Sequence, residues 1–95
     1  MLEKDIEKRL TAEIRKKGGI AYKWTSPGNT GVPDRIIVMP KGRVYFVELK
    51  TDTGRLSEIQ KKQIDRLRLR GCDVRVLYVL EQVEEFIKEV TGCST

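Results

Sequence analysis

Residues 43–50, RVYFVELK, restrict most strongly what this chain can become. Side chains of a strand alternate between its faces. Val44, Phe46, Glu48 and Lys50 therefore share one face, and Tyr45, Val47 and Leu49 the other. Both faces are apolar where the segment starts. That pattern predicts a central strand covered on both sides, which needs a sheet with helices packed on it. Such a strand should not end with Glu48 and Lys50 on one face without cause, because a buried charge is costly unless paired or bound to a metal. A plain Glu–Lys ion pair at the strand end is one sufficient cause. A reactive site is the other.

The flanking sequence supplies the sheet and its helices. Leu2, Ile6, Leu10 and Ile14 recur every four residues and predict a helix over residues 2–17, stopped by Gly18-Gly19. Residues 20–25 (IAYKWT) and 34–39 (DRIIVM) read as strands, with a Pro/Gly/Asn/Ser loop at 26–33 between them. Pro40-Lys41-Gly42 is a short turn, so 34–39 and 43–50 should pair as an antiparallel hairpin. A polar loop over 51–56 leads to a helix at 57–70, a strand at 73–79 (DVRVLYV) and a last helix at 80–90, before a fraying tail. The order αβββαβα predicts an α/β mixed sheet flanked by helices. At 95 residues, one domain over 1–95 is expected.

Composition excludes much chemistry. The chain has no histidine, so no Ser-His-Asp triad, His-ligated zinc or imidazole base is available. Cys72 and Cys93 are too few for a disulfide framework and lack metal spacing, which suits a reduced intracellular thiol pair. Lys plus Arg number 19 against 14 Asp plus Glu, a net charge of +5 that favours a polyanion, with nucleic acid first. A merely charge-rich, soluble surface would give the same sum. The N-terminal residues carry charge and no apolar signal core, and no apolar run approaches about 18 residues. Secretion and membrane spanning are not expected.

The hairpin brings acids together. Asp34 follows Pro33 at the start of one strand, and Glu48 and Lys50 end the other. Antiparallel pairing places start beside end, so two carboxylates and an ammonium converge. Adjacent carboxylates repel unless a cation lies between them, and their hard oxygens suit Mg2+ or Mn2+. The first helix offers further acids: Glu3 lies within its apolar stripe, and Glu7 and Glu13 border it. Position alone does not choose among them, and Glu7 could equally pair with a neighbouring base. Gln60 closes the capping-box string Ser57-Glu58-Ile59-Gln60. It also shares a helix face with Ile64 and Leu67, so its amide could instead reach inward to a bound water or phosphate, and Gln63 is a substitute for either role.

These residues carry a family resemblance. Pro33-Asp34, then Glu48-Leu49-Lys50, is the pattern Pro-Asp…Glu-x-Lys. With IEKRL at 6–10, Gly18-Gly19, GVPDR at 31–35, FVELK at 46–50 and LSEIQ at 56–60, the chain resembles the VRR-Nuc (virus-type replication–repair nuclease) family over about residues 3–85. The resemblance implies a restriction-endonuclease-like PD-(D/E)XK fold and a metal-dependent endonuclease, a hydrolase of phosphodiester bonds. It implies that Asp34 and Glu48 ligate Mg2+ or Mn2+ with the Leu49 backbone carbonyl. Glu7, with Glu3 as runner-up, would be the helix acid; Lys50 would act on water or the phosphorane, and Gln60 would position water or phosphate. Small stand-alone members are typically encoded by bacteriophages or prophages and resemble homodimers that cut four-way (Holliday) junctions in DNA repair, which would place this chain in the cytoplasm of a bacterial host.

Lys23, Ser26, Asn29, Thr30, Arg35 and Arg55 flank the acids and are candidate DNA phosphate contacts. Trp24 suits the core better than base stacking. A dimer would use the last helix or the strand carrying Val74, Val76 and Tyr78. A DNA nickase or flap endonuclease is the alternative enzyme. A non-catalytic basic DNA-binding module is the alternative of another class, although acids facing a polyanion argue against it.

Overall fold

In the computed structural model, described over residues 3–50 and 54–92, the β2–β3 hairpin organises the sheet. β2 (Arg35–Met39) and β3 (Arg43–Leu49) pair antiparallel, Arg35 opposite Val47 and Met39 opposite Arg43, around a 3-10 turn at Pro40–Gly42. β1 (Ile20–Lys23) adds antiparallel to the other edge of β2. β4 (Asp73–Leu77) adds parallel to β3, the chain crossing over through α2 (Glu58–Leu69). The mixed sheet has the order β1-β2-β3-β4. α1 (Glu3–Lys16) precedes it and α3 (Leu80–Thr91) follows it, so the observed order is the expected αβββαβα. Leu2, Cys93 and part of the loop at 51–56 lie outside the described residues, as does the side chain of Glu3. Among the described residues, no helix is long and apolar enough to cross a membrane.

One face of the sheet carries the core. Ile37, Met39, Val47, Leu49 and Leu77 point to it, and α1 and α3 cover it with Ile6, Leu10, Ile14, Val83, Phe86, Ile87 and Val90. Each helix presents these side chains at three- and four-residue steps, so burial of one stripe per helix closes this layer. Gly19 lets α1 turn down onto the sheet. A Cβ there would lie 2.5 Å from Met39 Sδ and 2.8 Å from Ile14 Cγ2, too close for any larger residue without repacking.

The opposite face is only half covered. α2 lies over β4, burying Ile64 and Val74, while Ile20, Tyr22 and Val44 stay exposed at the far end. The expected two-sided cover of β3 therefore holds at its C-terminal half alone, because a twelve-residue helix of about 18 Å reaches only one side of the sheet. Of the surfaces expected to pair, Val83, Phe86, Ile87 and Val90 of α3 and Val74 of β4 are buried within the protomer itself, whereas Val76 and Tyr78 are part-exposed.

Charged contacts lace α3 to the rest. Arg9 of α1 forks onto Glu84. Arg75 on β4 donates to Asp73 (2.6 and 3.1 Å) and Glu89 (2.8 and 2.7 Å), and its guanidinium lies 5.8 and 5.6 Å from the Tyr45 and Phe86 ring centres. Those two rings meet edge to face at 5.6 Å. The hydrogen bonds from Arg75 hold the Glu89 carboxyl below its usual value near 4.5, and Arg9 does the same to Glu84. A depressed carboxyl contributes stability above its unfolded pKa and loses it as pH falls through the folded one. Stability should therefore drop as pH falls below about 4.5. Arg75→Ala should lower stability near neutrality by roughly 1–2 kcal/mol, through lost pairing and ring packing, and flatten this acid limb. Urea denaturation from pH 7 to 3 checks both outcomes.

Candidate active site at the open end of the hairpin

The acids lie where β2 begins and β3 ends, away from the connecting turn. Buried Pro33 fixes the entry to β2, and the Asp34 carbonyl accepts from Trp24 N at 2.8 Å, extending the β1–β2 ladder one step. The β2–β3 register, continued by one pair from Arg35–Val47, sets Asp34 opposite Glu48. Such cross-strand neighbours have Cβ atoms roughly 4.5–5.5 Å apart. Asp34 Oδ1 has under 1 Å2 of accessible surface, and Glu48 is 6% exposed. Leu49, between Glu48 and Lys50 in chain order, is buried in the core, which turns those two together to the opposite face.

Two side chains address the Glu48 carboxylate. Lys50 Nζ lies 3.8 Å from Oε2, its backbone held by the bond from Lys50 N to Leu77 O at 2.9 Å. Gln60 Nε2 donates to the same Oε2 at 3.4 Å. The two roles open for Gln60 prove compatible. Its Oε1 accepts from Ser57 N at 2.9 Å while Gln60 N donates to Ser57 Oγ at 3.2 Å, completing the capping box. The amide thus caps α2 with its oxygen and reaches the acid with its nitrogen. Gln63 does neither; its Nε2 donates to Thr30 O at 3.2 Å and braces the 26–33 loop.

Glu7 stands elsewhere. Its Oε2 is 2.7 Å from Nη2 of Arg35, whose side chain is only 10% exposed. Among the described residues, no three of His, Cys, Asp and Glu gather into a metal-sized group. A buried and a half-buried hard carboxylate abreast, with the Leu49 carbonyl at the same strand end, still fit the donor chemistry of Mg2+ or Mn2+. Arg35 was expected among the exposed phosphate contacts, yet it is buried on the core side of β2. Its alternation with Asp34, in step with Ile37 and Met39, carries that signal in the sequence.

The other candidates divide. Lys23 and Arg55 are exposed. Asn29 Nδ2 donates to Ser26 Oγ at 3.1 Å, so these two hold their own turn. Gly31, at φ +92°, packs the loop on the start of α2; a Cβ would come within 3.0 Å of the Ile59 carbonyl group. Trp24, expected in the core, is half-buried outside the core cluster and packs against Phe46, ring centres 5.3 Å apart.

With this geometry in place, comparison with known proteins is specific. Residues 3–81 match the family model described as the VRR-NUC domain. The chain is 47% identical over 75 residues to a protein named "Putative nuclease p44" of Acyrthosiphon pisum secondary endosymbiont phage 1, covering 79% of this chain and 81% of that one. A solved structure titled "VRR_NUC domain" superposes with a TM-score of 0.84 at 29% identity, covering 90% of this chain and 94% of the other.

The dual role of Gln60 is measurable. Ser57→Ala and Gln60→Ala should each lower stability by about 1 kcal/mol through the lost cap. In double-mutant cycles with Glu48→Gln, only Gln60→Ala should show coupling, of roughly 0.5 kcal/mol or more. Denaturant titration of the six proteins reads this directly.

Proposed function

Because the chain belongs to the VRR-NUC domain family, a nuclease family with the restriction-endonuclease-like fold, we propose that it is a metal-dependent, structure-specific DNA endonuclease whose preferred substrate is the four-way junction. The observation that carries this reading is the pairing of Asp34 with Glu48 at one strand end, with Lys50 and Gln60 on the Glu48 carboxylate. Asp34, Glu48 and the Leu49 carbonyl would hold Mg2+ or Mn2+, which when bound supplies a water of lowered pKa and Lewis-acid stabilisation of phosphate charge. The helix acid completing the set is Glu7, released from Arg35, or Glu3 one turn earlier.

The remaining steps belong to side chains. Lys50 is within reach of a phosphate oxygen presented at Glu48, where its ammonium offsets charge developing on the phosphorane. Gln60 Nε2 offers an amide donor to water or phosphate on the same side. Without histidine, the leaving oxygen and the attacking water must take and give protons through solvent or Lys50. Lys23 and Arg55, both exposed, would contact the flanking backbone.

Resolving a four-way junction takes two symmetric cuts, and a twofold homodimer supplies two sites. One observation favours the second reading, a nickase or flap endonuclease acting as a monomer: Val83, Phe86, Ile87 and Val90 of α3 are buried inside the protomer.

Asp34→Asn, Glu48→Gln and Lys50→Ala, each folded by circular dichroism, should cut at least roughly 100-fold more slowly than the parent with Mg2+ or Mn2+. Chelation should abolish cleavage and Mg2+ restore it. Wild-type rates in any two variants would overturn this site. Loss in Glu3→Gln but not Glu7→Gln would assign the helix acid to Glu3. A side-by-side panel of four-way, flap and nicked DNA, with sedimentation at micromolar protein, separates the junction-cutting dimer from the monomeric reading.

A further inference from the structure

The buried arginine next to Asp34 enters that mechanism only as the partner from which Glu7 is released. Arg35 follows Asp34 on β2, so its side chain leaves the opposite face of the strand and runs under α1. There it forms part of a cleft of about 310 Å3 lined by Glu7, Lys8, Thr11, Ala12, Arg15 and Arg35. Glu7, Thr11 and Arg15 recur every four residues and share one helix face; Lys8 and Ala12 lie beside them, and the small Ala12 leaves the space open.

The lining is unbalanced in charge. Three cations face one carboxylate, and that carboxylate is matched to Arg35. Lys8 and Arg15 have no ion-pair partner among the described residues. Arg35 is 8% exposed, and its Nε is buried without an acceptor. A guanidinium offers five donors, so Glu7 leaves most of them unused. An apolar residue in step with Ile37 and Met39 would close this face at lower cost. An incoming oxyanion would supply acceptors to the Nη end of the fork, and phosphate suits a planar guanidinium best.

We propose that this cleft seats a backbone phosphate of the DNA substrate, flanking the phosphate held at Asp34 and Glu48. The proposal rests on the nuclease reading above. Asp34 and Arg35 are adjacent at the start of β2, so the two sites lie on opposite faces at one end of the strand, and a nucleic-acid strand passing around that end would meet both. Small-ligand sites start near roughly 300 Å3, so the cleft has room for a phosphodiester group.

The test leaves Arg35 in place, since its removal would disturb the packing of α1. Binding of labelled four-way DNA by the full-length chain is followed by fluorescence anisotropy under chelator, where no cleavage occurs. The double variant Lys8→Ala/Arg15→Ala should bind roughly tenfold more weakly and show a log K against log salt slope smaller by about 1–2. A scan with single methylphosphonates should find one flanking position that weakens the parent and does not further weaken the variant. In cleavage, KM should rise while kcat stays within about twofold. Unchanged slope and an unchanged methylphosphonate profile overturn the proposal and leave Arg35 as a clamp for α1. Inorganic phosphate shifting the α1 amide resonances as strongly as DNA does would also overturn it, assigning the cleft to a free anion. Because binding is read without turnover, failure of the nuclease reading is distinguishable: it appears as a parent protein that binds DNA but never cuts it.

Discussion

The backbone ladder between β2 and β3 is the constraint on which the rest depends. Two side chains that repel each other are held abreast because Arg35–Val47 and the pairs behind it lock the register. A slip of one residue would send Asp34 to the core face and Arg35 to the acid side. The slip is opposed by Ile37 and Met39, which would leave the core together. Hydrophobic burial on one face thus sets the electrostatics on the other. The turn at Pro40–Gly42 fixes the same register from the far end, with Lys41 and Gly42 both at positive φ.

Much of this was legible in the sequence. Period-two alternation located β3 and its charged end, and four-residue periodicity located α1 and α3 and their buried stripes. Turn residues separated the elements to within a few positions. The convergence of Asp34 and Glu48 was legible because hairpin pairing is a local rule that brings a strand's start beside its partner's end. The harder features depend on tertiary placement. Nothing local says that α2 stops short of Val44 and Tyr22, leaving half a sheet face uncovered. The pairing of Glu7 with Arg35 required knowing how α1 crosses β2. The burial of Arg35 itself was available from alternation, once β2 was known to have a core face.

Gln60 illustrates why assigning one role per residue misleads. The capping box and the inward-facing helix position are both true of it, since an amide has two ends. Ser57 engages one end and Glu48 the other. The cap that starts α2 is therefore continuous with the wall of the site, and Gln63 and Gly31 dock the preceding loop against the same helix turn. Few residues join the loop, the helix and the acid into one unit.

That arrangement has a directional consequence. With Oε1 committed to the Ser57 amide, the only polarity Gln60 can present to a visitor is that of a donor. Rotating the amide to offer its oxygen would place an NH2 group against a backbone N–H and uncap the helix. The wall around Glu48 is then lined by Lys50 and Gln60 as donors alone. A group rich in acceptors, such as a phosphodiester, is matched there; one that must donate, such as a neutral hydroxyl or an amine, meets no acceptor on Lys50 or Gln60. Helix capping, a local matter of chain folding, thus acts as a polarity filter on what the site can hold.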